Sequence, residues 1–139
     1  MDFLARIKCV LGMDDADLIE LRDLEVPVHP GDELRATAAL SGGEHGLDVE
    51  GVRLRLDEER LVYDNPRHGD FDFWREAAAV TVPLAGRSLA PGERLSVPLT
   101  LQLPADLEPS SAHRRYRITA ILQARGRHHD ASAVIAVVR

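Results

Sequence analysis

Cysteine occurs once in the 139 residues, at Cys9. A single thiol excludes an internal disulfide framework and any cluster of cysteine ligands for zinc. Aromatic residues make up only 4% of the chain, so a core must be built from Leu, Val, Ile and Ala. No apolar run approaches the ~18 residues that a helical membrane span requires. The start, Met1-Asp2-Phe3, has no basic stretch leading into a long apolar one, so secretion is not expected. Lysine is nearly missing too: Lys8 stands alone among 17 basic residues, the rest being Arg. Against them stand 23 acids, for a net charge of -6, a poor balance for general nucleic-acid binding. What is left is the expectation of one soluble cytoplasmic domain. A chain of this length buries about 65–70% of its unfolded surface, enough for a core without staples.

The charge is unevenly placed. Residues 1–109 carry 22 acids and 11 bases, whereas residues 110–139 carry Asp130 and six Arg. Within one domain, the basic end is expected to pair with the acidic remainder.

Residues 2–12 read as a short amphipathic helix. Phe3, Leu4, Ile7, Val10 and Leu11 fall on one face at helical spacing, with Asp2 placed to cap and Gly12 to terminate. So short a helix is unstable alone in water and must dock. These five residues are therefore the candidate contacts for self-association or for a partner, and docking on a sandwich of the same chain or a second copy is expected. Peripheral membrane contact is compatible with such a face but is not expected.

After Met13-Asp14-Asp15-Ala16-Asp17 the apolar period changes from 3.6 to 2. Ile19 and Leu21 begin an imperfect, edge-like alternation, and Pro30-Gly31 has the residues of a type II turn. Leu34, Ala36, Ala38 and Leu40 form a strand that ends at Ser41-Gly42-Gly43. Val52, Leu54 and Leu56 form the next. Residues 57–72 are polar and turn-rich and read as a long exposed loop; residues 73–84 form another strand, with Trp74 expected in the core. A second Pro-Gly turn, Pro91-Gly92, introduces Leu95, Val97, Leu99, Leu101 and Leu103 in strict alternation. Pro98 cannot donate to a ladder and marks an edge or a bulge. Tyr116, Ile118, Ala120 and Leu122 alternate next, Gly126 to Asp130 reads as a hairpin turn, and Ala133 to Val138 closes the chain. Seven or eight strands with no long helix between them exclude βαβ units. The pattern is all-β, an antiparallel sandwich over residues 17–139 as a single domain.

Chemistry-bearing residues are sparse. No Gly-x-Ser-x-Gly occurs, and none of Ser88, Ser96, Ser110, Ser111 or Ser132 has a nucleophile-elbow context. His128-His129-Asp130 places three potential ligands together, but neighbours on a strand point to opposite faces, so both imidazoles can aim at one ion only if the backbone turns. His113 is the third candidate for a metal-dependent enzyme. Asp14, Asp15 and Asp17 with Asp64, Asp70 and Asp72 could supply a calcium- or lipid-responsive sandwich, C2-like in use, although their spacing is not that of an EF-hand. Arg114-Arg115-Tyr116-Arg117 is basic but short, and pairing with acidic neighbours is the expected role. No enzyme activity, no cofactor and no nucleic acid are expected.

The order of turns and strands resembles the arrestin-like domain. Pro91-Gly92-Glu93, the strand Leu95 to Leu103, the segment Leu103-Pro104 to Pro109-Ser110-Ser111 and the Tyr116-led strand carry the likeness, and the turn at Pro30-Gly31-Asp32 agrees with it. The short helix ahead of the first strand is most similar to the bacterial sporulation-control (Spo0M-like) branch. The resemblance implies an immunoglobulin-like sandwich that binds proteins without catalytic residues, with a role in sporulation or cell-envelope regulation. Members of that branch are commonly longer, so functions that rest on an interdomain interface fall outside the expectation. A protein partner of unknown identity and a homo-oligomer are expected.

Overall fold

The computed structural model describes residues 18–61 and 73–139. The helix expected over 2–12, Cys9, the acidic stretch 13–17 and the turn-rich segment from residue 62 to 72 lie outside those residues. Seven strands follow in order: β1 Ile19–Arg22, β2 Glu33–Ser41, β3 Leu47–Arg60, β4 Phe73–Leu89, β5 Arg94–Gln102, β6 Arg114–Ala124 and β7 Arg127–Ile135. They form two antiparallel sheets, one ordered β1-β2-β5 and the other β4-β3-β6-β7.

Alternation determines which face is buried. In the three-stranded sheet, Leu34 pairs with Leu101, Ala36 with Leu99, Ala38 with Val97 and Leu40 with Leu95. In the four-stranded sheet, Val52, Leu54 and Leu56 of β3 pair with Leu122, Ala120 and Ile118 of β6. Ala131 and Ala133 extend those rows into β7. Directly paired residues share a face, so these rows form the two inner surfaces of the core. Each fully buried Leu contributes about 1.5–3 kcal/mol relative to exposure. A one-residue slip would turn every one of them outward.

The turns follow from their residues. Gly31 has φ of 83°, and the Asp32 N–H donates to the His29 carbonyl at 3.1 Å, as a type II turn requires. Pro91-Gly92 repeats the device, with the Glu93 N–H donating to the Ala90 carbonyl at 2.9 Å. This second turn packs against Gly42, whose N–H donates to the Glu93 carbonyl at 2.9 Å. A Cβ on Gly42 would lie 2.1 Å from the Ala90 carbonyl oxygen, so only glycine fits. Pro98 is exposed on β5, an edge strand paired only with β2, which places its missing donor as expected.

Three expectations need correction. β3 does not give way to a loop at Asp57: it remains paired on both sides as far as Arg60, because basic residues on β4 and β6 offset its acidic end. Residues 128–130 are not a turn. β7 begins at Arg127, and the chain reverses at Arg125-Gly126, where Gly126 has φ of 84°. The last strand ends at Ile135; beyond it, Val137 makes only an isolated parallel bridge to Val28.

Gly42→Ala is expected to cost about 3 kcal/mol, since backbone must move to admit the methyl group. Gly31→Ala meets only ordinary contacts with Ala105 and carries the positive-φ cost, about 1 kcal/mol. Urea unfolding of the two variants checks the order.

Candidate functional site

The polar end of β3 supplies the candidate site. From Val52 onward, beyond a register shift between Val49 and Gly51, even-numbered residues of β3 face the other sheet and odd-numbered ones face outward. Asp57, Glu58 and Glu59 therefore send their carboxylates to alternate faces, and the neighbouring strands bring arginines to both.

On the inner face, Glu58 is 4% exposed. Arg75 of β4 donates from Nε to Oε1 at 2.7 Å, and Arg114 of β6 donates from Nε to Oε2 at 2.7 Å. One carboxylate thus ties three strands together. Burial alone would push this carboxyl upward, but the two arginine hydrogen bonds outweigh it and hold Glu58 below the usual range. Arg114 also pairs with Glu108 at 2.9 Å. Beside them, the fully buried Tyr116 donates its hydroxyl to the Glu108 carbonyl at 2.6 Å. Burial, followed by the negative charge of Glu58, pushes the phenol up to about 12.

The outer face is built differently. Asp57 is 5% exposed although Trp74 and Glu76 beside it are exposed. Its Oδ2 accepts from Arg55 Nε at 2.9 Å, while Oδ1 is buried and accepts no hydrogen bond. Burial raises this carboxyl above its ordinary value, against the opposing pull of Arg55. The Arg55 guanidinium also lies 5.8 Å from the centre of the Trp74 ring. Around this trio, Arg53 donates to Glu76 at 2.7 Å, and Glu59 accepts from Arg115 at 2.6 Å and from Arg117 at 3.5 Å.

Trp74 is 61% exposed, and its expected place in the core is corrected. Its register partner is Glu59, an outward residue, so Trp74 faces outward as well. A bulge at Ala77 separates it from the rest of β4, since Leu56 pairs with Ala78 while Asp57 pairs with Glu76. Among the described residues the large aromatic of the core is Tyr116 instead. Sequence reasoning also missed the buried Asp57 and Glu58. A signal lay in the run of acids continuing directly from the Val52-Leu54-Leu56 alternation, with no Gly, Pro or Asn before Arg60 to break the strand.

The other sequence candidates are not brought together. His128 is exposed and His129 half-buried on alternate faces of β7, with His129 Nε2 buried and unpartnered. His113 precedes the opposite end of β6. Among the described residues no three His, Cys, Asp or Glu side chains group as metal ligands would. The calcium candidates Asp14, Asp15, Asp17, Asp64, Asp70 and Asp72 lie outside the described residues, as do the helix candidates Phe3, Leu4, Ile7, Val10 and Leu11. Several hydroxyls have structural partners: Ser88 donates to Asp48 at 2.7 Å, and Ser110 accepts from the Val137 N–H at 2.9 Å. The expected pairing of basic end with acidic body is present, since Arg114, Arg115 and Arg117 all meet Glu58 or Glu59. Among the described residues no helix is long and apolar enough to cross a membrane.

No family model and no curated protein matches the sequence. Solved structures share its fold, two of them as follows. Spo0M, a sporulation control protein from Bacillus subtilis, superposes with a TM-score of 0.72 at 21% identity, covering 87% of this chain and 49% of its own. The present chain thus spans about half the length of that protein. AvmM, described as catalysing macrocyclization in alchivemycin A biosynthesis, superposes with a TM-score of 0.55 at 14% identity, covering 89% of this chain and 90% of its own. The fold is Spo0M-like and arrestin-like, as the order of turns and strands implies.

Glu58→Gln is expected to destabilise by about 1–2 kcal/mol at pH 7, because the half-buried Arg114 and the exposed Arg75 both lose their counter-charge. A folded value below the unfolded one means the stabilisation is present above the unfolded value, 4.5, and is lost as pH falls through the lowered one. The difference from wild type should therefore shrink in acid. Asp57 has the opposite sign: its raised carboxyl favours the fold below 3.8, and that gain is lost as pH rises through the folded value. Asp57→Asn should then stay within about 1 kcal/mol of wild type at pH 7. Urea midpoints against pH for both variants check the contrast. Tyr116→Phe, which strands the Glu108 carbonyl, should cost about 1–2 kcal/mol in the same assay.

Proposed function

We propose that this Spo0M-like sandwich is a non-enzymatic regulatory module that binds protein, and that its binding surface is the outer face of the four-stranded sheet at Trp74. The exposure of Trp74 carries the reading. An indole at 61% exposure leaves apolar surface in water, and Trp is among the residues most enriched at the energetic centres of protein interfaces. It stands on β4, in register with Glu59, and is ringed by ion pairs that suit a polar rim.

The hydroxyls with structural partners and the separated histidines support a binding role over catalysis, even though one protein of this fold is an enzyme. Similarity to a sporulation control protein suggests sporulation or cell-envelope regulation as the process, with action in the cytoplasm. The apolar face of residues 2–12 would add self-association. Removing those residues should lower the molecular mass seen by light scattering; an unchanged mass takes the helix out of the reading.

The main test is capture from native cells with wild type and Trp74→Ala as paired baits. Because Trp74 is so exposed, the variant should melt within about 1 kcal/mol of wild type. Loss of a specific protein from the variant's eluate is expected, and equal capture by both baits would refute the assignment of this face.

A further inference from the structure

We propose that Asp57 is a proton switch on the outer face: by taking up a proton it loosens Arg55 and adds one positive charge to the surface around Trp74. As regulation of the docking face this rests on the protein-binding reading, whereas the protonation itself needs no partner.

The adjacent acids of β3 differ in what a proton displaces. Glu58 has both oxygens on guanidinium donors, so protonating either one costs an arginine hydrogen bond. Asp57 has Arg55 Nε on Oδ2 at 2.9 Å and no donor on the buried Oδ1. A proton on Oδ1 therefore breaks no hydrogen bond, and it neutralises a carboxylate whose side chain is more than nine-tenths buried.

The groups facing Asp57 come from three strands. On β3, Arg55 opposes protonation and Glu59 favours it. From β4, Glu76 is the register partner of Asp57 and also favours it. From β6 the register partner is Arg117, which is paired with Glu59 at 3.5 Å. Farther out, Arg53 is held by Glu76, and Arg115 by Glu59. Burial is the largest influence and, with Glu76 and Glu59, keeps the Asp57 carboxyl above its ordinary 3.8 against the pull of Arg55.

Arg55 carries the change to Trp74. Its guanidinium lies 5.8 Å from the ring centre while its Nε holds Asp57. A hydrogen bond to an ionised carboxylate is roughly twice as strong as one to a neutral acid. Protonation weakens this tether and lets the half-buried Arg55 turn toward water. Among the described residues, the outer face then sets Arg53, Arg55, Arg115 and Arg117 against Glu59 and Glu76, where the ionised Asp57 made a third acid. A partner docking at Trp74 meets a more positive surface in acid than at neutral pH.

Trp74 is the chain's one tryptophan, so its emission reads the switch. On titration from about pH 7 to about pH 3, the wild-type emission should follow a single proton with its midpoint above 3.8. Far-UV circular dichroism on the same samples restricts the reading to folded protein. Asp57→Asn should lose the transition. Glu76→Gln should keep it with a lower midpoint, because one facing acid is gone. At pH 7, where acid unfolding plays no part, Asp57→Asn should already show the emission that wild type reaches in acid. Emission of Asp57→Asn identical to wild type at pH 7, or the same transition in both, overturns the proposal. If the titration holds while Trp74→Ala captures the same proteins as wild type, the switch stands and the docking face is wrong. If Trp74→Ala loses its captured protein while the wild-type emission stays flat, the docking face stands and the switch is wrong.

Discussion

β3 is the constraint on which the rest of this sandwich depends. It is paired along most of its length with β4 on one side and β6 on the other, so its register sets theirs. Its apolar middle places Val52, Leu54 and Leu56 in the core, and no slip of one residue is tolerated without exposing all three. Its acidic end then has no freedom of its own. Asp57, Glu58 and Glu59 must point outward, inward and outward; the flanking strands supply arginine to Glu58 and Glu59, and Arg55 of β3 itself meets Asp57.

Two adjacent carboxylates consequently have opposite fates. Glu58 uses both oxygens on guanidinium donors and is stabilised as an anion in spite of burial. Asp57 has one donor for two oxygens and is raised by the same burial. A buried carboxylate that satisfies both oxygens holds strands together. One that satisfies half is a local cost to the fold. The inner acid therefore holds strands together, whereas the outer one, beside an exposed indole, is bound by a single arginine of its own strand.

Much of the fold was legible in the residues. The Pro-Gly pairs announce their turns because proline and glycine each pre-set a backbone angle. The alternations at 34–40, 95–103 and 116–122 announce half-buried strands because a strand shows its faces in turn. The site was less legible. Trp74 reads as core on composition alone, since aromatics are few, and its true face depends on a bulge at Ala77 that no local pattern marks. The acids at 57–59 read as loop because charged residues are rarely buried unless paired, and the partners of Glu58 lie 17 residues away in Arg75 and 56 away in Arg114.

The sequence by itself determined the all-β class, the two Pro-Gly turns, the apolar rows of the core and the matching of a basic end to an acidic body, since each follows from local geometry or from net charge. Only the tertiary structure decided which acid meets which arginine, which face Trp74 takes, and that Asp57 is left with an unused oxygen. Those depend on the register between strands distant in sequence, and register is a property of the assembled sheet.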